Sequence, residues 1–211
     1  MEILENNFNK IRSELEKANT IREEILKLSR QSIRKSSIAI KNLHRGELEI
    51  ADQQITENQN LLDEINKLSS DMKPIRFGML LTSNQEYVES VFLQKFLEKK
   101  PFPNFEDLRV PYLAYLHGLT DFVGELRRVI LDTLRQDNDI EIAISALDLM
   151  DDLYSLLLSI DYPDSLTFNL RKKTDFVRNI TEKTRGDVTL AINRLQLIDT
   201  FTDIVSKKND R

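Results

Sequence analysis

Apolar residues recur at three- and four-residue spacing along most of this chain, and no stretch keeps the strict alternation of a half-buried strand. Glycine and proline number only five each. The prolines stand at 74, 101, 103, 111 and 163 and divide the chain into long unbroken segments. This pattern predicts helices over about 3–44, 47–71, 75–99, 110–136, 139–159 and 165–206. The expected architecture is therefore all-α, a single-domain bundle of about six long helices over residues 1–211. Pro111 suits the first turn of its helix, and Asp164 after Pro163 suits an N-cap. Gly186 marks a point where the last helix can bend or break.

At about 100° per residue these segments become faces. In the first helix Ile21, Ile25, Leu28, Ile33, Ala39, Ile40 and Leu43 share one arc, and Lys27, Arg30, Arg34 and Lys41 form a stripe roughly opposite. Exposed helices ordinarily mix charges for i,i+4 pairing, so a stripe of one sign is either a solvated face or an anion-binding one. In the last helix Arg171, Asp175, Arg178, Glu182 and Arg185 do alternate, as expected of a salt-bridged surface or a subunit contact.

Bulk composition narrows the function classes. With 40% hydrophobic and 31% charged residues, 211 residues suffice for a sizeable core. No apolar run approaches the roughly 18 residues of a membrane span, and "MEILENNFNK" does not read as a secretory signal. The expectation is a cytoplasmic protein with no membrane partner. Absence of cysteine excludes disulfides and thiolate metal sites. The net charge of −5 argues against wholesale nucleic-acid binding. Cations are nevertheless concentrated in residues 22–45 and 171–185, whereas 132–164 is acidic with Arg135 its one cation. Anion binding can therefore be local.

The stretch "SNQEYVESVFLQKFL", residues 83–97, holds the clearest chemical signal. As a helix it places Glu86 and Glu89 on the arc of Phe92, Leu93, Phe96 and Leu97. Two adjacent carboxylates repel, and burial raises the cost. A hard divalent cation such as Mg²⁺ resolves both problems. In the helix over 110–136, apolar residues from Leu116 to Leu134 cover more than half the circumference. The remaining stripe reads His117, Asp121, Glu125, Arg128, Asp132, Arg135. Asp121 and Glu125 can face one point, so four carboxylates converge if the two helices pack together. The alternatives are a polar subunit interface for the first pair and an ordinary Glu125–Arg128 surface pair for the second. His117 is either an outer-shell group or, as is commoner, a solvated histidine. Asp148, Asp151 and Asp152 read as the solvated side of their helix. A ferritin-like di-iron centre lacks its Glu-x-x-His elements, and no phosphate-binding glycine loop, thiol nucleophile or Ser-His-Asp grouping is evident.

Four segments together resemble the translin family, which comprises translin and its partner, translin-associated factor X. "IREEILKLSRQSIRKSSIAIKNLHR" is similar to the family's opening helix, and "QEYVESVFLQKF" to the partner's QEYVE helix. "YLHGLTDFVGELRR" resembles the partner's YLLG-x-x-DLTGELMR segment, and "DSLTFNLRKKTDFVRNITEKTRGD" the C-terminal helix, in the manner of archaeal members. The resemblance implies a hollow, roughly octameric homo-oligomer around single-stranded RNA or single-stranded DNA. It also implies a Mg²⁺-dependent endoribonuclease of the partner type, with Mn²⁺ as a substitute, whose acidic positions fall on Glu86, Glu89, Asp121 and Glu125. Translin itself lacks most of these carboxylates and is not catalytic, so a non-catalytic single-strand binder is the rival reading. Candidate nucleic-acid contacts are Arg22, Lys27, Arg30, Arg34, Lys41, Arg76 and Arg128. Two departures stand out. "PIRFGMLLTS" replaces translin's histidine- and arginine-rich segment, and His117 replaces an aliphatic residue.

Overall fold

Helix-forming residues in long runs, interrupted at few points, yield seven helices among the described residues of the computed structural model: α1 (Glu2–Leu43), α2 (Leu48–Ser70), α3 (Phe77–Leu97), α4 (Tyr112–Arg135), α5 (Ile140–Leu158), α6 (Asp164–Thr167) and α7 (Leu170–Asn209). The structure describes residues 1–70, 77–136 and 140–209, with side chains for 1–69, 80–136, 140–198 and 200–202. None of the helices is long and apolar enough to cross a membrane, among the described residues.

The chain divides into two compact units, Met1–Leu119 and Thr120–Arg211. In the first, α1 packs on α2 and α3, and α2 on α3. The buried face of α1 is lined by Ile25, Leu28, Ser29, Ser32, Ser36, Ala39, Ile40 and Leu43. Its serines and alanine keep the helix slim there, and Asn58 Nδ2 of α2 donates to Ser36 Oγ at 2.8 Å. Gly46, at φ 75, makes the turn into α2 that a side chain would strain. The α3–α4 connection is fixed by aromatic packing. Phe92 stacks on Phe102 at 4.9 Å and meets Tyr115 edge-on at 5.5 Å. Tyr115 Oη in turn donates to the Pro103 carbonyl at 3.0 Å.

In the second unit α7 packs on α5 and α6. Leu170, Thr174, Val177, Thr181, Thr184 and Val188 form the buried stripe of α7, and Ala143, Ala146, Met150, Leu153 and Leu157 that of α5. Here the expected last helix differs from the observed one in two ways. It is broken at Phe168 and Asn169, which adopt φ 49 and 64 and separate α6 from α7. Two successive left-handed residues cannot continue a right-handed helix. At Gly186, by contrast, α7 runs on without interruption, because a single glycine costs only about 1 kcal/mol in a helix that is otherwise packed. Asp164 is the first helical residue rather than the cap, which is Pro163.

Candidate functional site

Residues 85–89 form the middle of α3, where Val88, Val91, Phe92 and Leu93 are buried. Tyr87 is buried between the two glutamates in sequence, and its hydroxyl donates to Gln59 Oε1 of α2. Burial pushes the Tyr87 phenol up to about 12, while Arg109 lowers it and Asp63 raises it. Gln94 Nε2 donates to Asp52 Oδ1 at 2.9 Å, a second tie from α3 to α2. Within this packed face Glu86 is half-buried and Glu89 is only 9% exposed. The expectation that α3 carries a carboxylate into its buried side therefore holds for Glu89.

Close approach of α3 and α4 in the first unit centres on Gly118. A Cβ at that position would lie 2.6 Å from Val88 Cβ and 2.8 Å from the Gln85 carbonyl oxygen. Only glycine permits this contact, which sets the start of α4 against residues 85–88 of α3. Next to it, His117 is 3% exposed. The expectation of a solvated histidine is thus wrong: His117 stands one turn before Asp121 on the same stripe, but is buried together with its neighbours Leu113, Ala114 and Gly118.

Two residues beyond Gly118 the helix enters the second unit, and its carboxylates acquire cations. Lys173 Nζ of α7 donates to both oxygens of Asp121, at 2.9 and 3.0 Å. Glu125 pairs with Arg128 at 3.5 Å on the same helix. Arg128, half-exposed, also reaches Asp132 at 4.0 Å, and Arg135 pairs with Asp132 at 3.0 Å. Arg127 ties α4 to α7 through Asp187 at 3.0 Å and Thr184 at 2.6 Å. Neither Lys173 nor Arg127 emerged from the sequence as a partner of this stripe. The available signal was phase: Lys173 lies three residues after buried Leu170 and one before buried Thr174, so it flanks the buried face of α7 while Arg171 and Lys172 point outward. Among the described residues, no three His, Asp or Glu side chains form a group that could hold a metal ion.

The candidate nucleic-acid contacts sort into three kinds. Lys27, Arg30, Arg34 and Lys41 are exposed on α1, opposite its buried face, and take part in no ion pair among the described residues. Arg22 is paired with Glu23, and Arg128 with Glu125. Arg76 lies outside the described residues. On α7 the alternating charges at 171, 175, 178 and 182 are exposed without ion pairs among the described residues, and Arg185 bonds Asp151 of α5 at 2.6 Å. Asp148 and Asp152 are solvated, as expected.

Comparison with known proteins adds the following. Residues 20–185 match the model of the Translin family. The chain is 33% identical over 187 residues to the uncharacterized protein MJ0175 of Methanocaldococcus jannaschii, a match covering 84% of this chain and 79% of that one. Among solved structures, the AfC3PO–duplex RNA complex is similar with a TM-score of 0.82 and 32% identity, over 90% of this chain and 98% of that chain. Apo-NeC3PO is similar with a TM-score of 0.79 and 28% identity, over 88% of this chain and 97% of that chain.

Proposed function

Because the chain belongs to the Translin family, we propose that it binds RNA as an oligomer of its own copies and cuts it with Mg²⁺ held by Glu86, Glu89, Asp121 and Glu125. One observation carries this reading: a carboxylate, Glu89, is drawn into the packed face of α3, where burial alone would select an apolar residue. Support for RNA as the ligand comes from similarity to a structure that holds duplex RNA. The chain's own contribution to binding is the unpaired stripe of Lys27, Arg30, Arg34 and Lys41, which covers roughly 21 Å of helix. Such a stripe grips phosphates without reading bases, so single-stranded and duplex RNA, and single-stranded DNA, are all to be offered as ligands.

The donor set suits the ion. All four ligands are hard carboxylate oxygens, and Mg²⁺ typically takes one or two carboxylates, keeping waters and substrate phosphate for its other positions. A pair on each helix is therefore enough, and a three-ligand group within one chain is not required. When bound, the ion supplies an activated water and stabilises charge on the scissile phosphate. The residues of the chain do the rest. Lys173 fixes the orientation of Asp121, Arg128 that of Glu125, and the α1 stripe holds the backbone.

A second reading has its own support. Lys173 and Arg128 already pair with Asp121 and Glu125, which fits an oligomer that binds RNA without cutting it. Labelled single-stranded and duplex RNA, incubated with Mg²⁺ or with EDTA, separates the two. Cleavage in Mg²⁺ with retardation alone in EDTA supports the enzyme; retarded, uncut RNA in both supports the binder. No retardation at low salt contradicts both.

A further inference from the structure

Residues 1–17 are exposed on every side. They are nonetheless patterned for packing. Met1, Leu4, Phe8, Ile11, Leu15 and Ala18 follow alternating three- and four-residue steps, the seam of a two-stranded coiled coil. The same frame, interrupted at Arg22, continues through Ile25, Ser29, Ser32, Ser36, Ala39 and Leu43, all buried against α2 and α3. So one seam, broken only at Arg22, packs into the bundle along its second half. Along its first half it carries large apolar side chains, with Leu4 and Ile11 55%, Phe8 66% and Leu15 65% exposed. A free helix of this length is marginal in water, and its stability comes from covering such a face.

We propose that this segment pairs antiparallel with the same segment of a second copy of the chain. Charge complementarity selects both partner and direction. With Leu4 over Leu15 and Phe8 over Ile11 of the second copy, the position flanking the seam at Glu5 falls opposite Arg12, and two-fold symmetry makes that ion pair twice. Neither residue is in an ion pair within its own chain, among the described residues. In a parallel pair the flanking contacts are Asn7 with Arg12 and Glu14 with Asn19, and no opposite charges meet. The contact lies outside residues 20–185, which match the family model, and does not depend on RNA cleavage.

The chain contains no cysteine, which makes cross-linking unambiguous. Full-length Leu4→Cys and Leu15→Cys chains, co-expressed with tags of different size, are oxidised mildly and run under denaturing conditions. The expected result is a mixed covalent dimer, with little product from Leu4→Cys alone. Self-linking of Leu4→Cys, or absence of the mixed product, overturns the proposal; the first indicates a parallel pair, the second that another segment or nothing covers the seam. Glu5→Arg should reduce the mixed product several-fold, and Glu5→Arg with Arg12→Glu should restore it. Failure of the double reversal to restore the product contradicts the register. Circular dichroism of each variant confirms that the bundle is intact.

Discussion

Glu86 and Glu89 on α3, and Asp121 and Glu125 on α4, are both acidic pairs about one helical turn apart, yet they are held in different ways. On α4 each carboxylate faces a cation: Lys173 grips both oxygens of Asp121, and Arg128 lies 3.5 Å from Glu125. On α3 Glu89 is buried on a face that also buries Ser83, Asn84, Ser90 and Gln94, and Tyr87 and Gln94 tie that face to α2. The difference teaches that an acidic pair on a helix is not one kind of object. The α4 pair is already partly balanced and contributes to helix packing in the second unit. The α3 pair sets one carboxylate, Glu89, inside a packed helix face. Under the proposed function, the α4 pair acts with its charge moderated by Lys173.

The comparison breaks most decisively if Glu89 proves dispensable. Glu89→Ala is expected to reduce Mg²⁺-dependent RNA cleavage by more than the ~100-fold typical of losing an outer-shell partner, with RNA retardation in EDTA unchanged. Gel assays of both properties check it. Next in size, Gly118→Ala forces a Cβ into Val88 and the Gln85 carbonyl, and should destabilise the chain by about 1–3 kcal/mol. Gly124→Ala, where a Cβ meets nothing within 4 Å, should instead stabilise by up to about 1 kcal/mol. Denaturant titration of both variants tests whether the α3 face rests on that contact.

Tyr87 allows the α3 environment to be probed by pH. Its phenol is raised by burial to about 12 from 10.0, so the folded state holds the proton more tightly than the unfolded state does. The stability this represents is complete below pH 10 and is lost as pH rises from there toward 12. Wild type should lose stability in that window, and Tyr87→Phe should lose less. The smallest effect concerns α4. Lys173→Met removes a half-exposed ion pair and should cost at most about 1 kcal/mol. It should also lower the Mg²⁺ concentration needed for cleavage, because Asp121 then keeps its full charge. A Mg²⁺ midpoint that rises instead would mean that Lys173 matters more for positioning Asp121 than for moderating it.

Much of this was readable from periodicity. Long segments with few glycines and prolines gave helices within a few residues of their observed ends, and the buried arc of α1 was visible in Ile25, Leu28, Ala39, Ile40 and Leu43. Other features depend on what a helix meets rather than on its own pattern. Nothing local distinguishes buried His117 from an exposed histidine, because its burial follows from the glycine next to it and the approach of α3. The Asp121–Lys173 pair joins residues 52 positions apart and could be inferred only by knowing that α7 presents Leu170 and Thr174 toward the core. The break at Phe168–Asn169 is not legible either, since Asn169 tolerates the left-handed region but the phenylalanine before it carries no turn signal. The four carboxylates were singled out by spacing, and their assignment as metal ligands rests on family resemblance together with the burial of Glu89.

Whether these carboxylates hold a divalent ion is decided by binding of Mn²⁺ to the RNA-free oligomer, followed by electron paramagnetic resonance. The expected result is bound Mn²⁺ that Mg²⁺ displaces and that is lost in both Glu89→Gln and Asp121→Asn, with helical content unchanged. Mn²⁺ binding that is absent in the wild type, or equal in the wild type and both variants, would contradict the account.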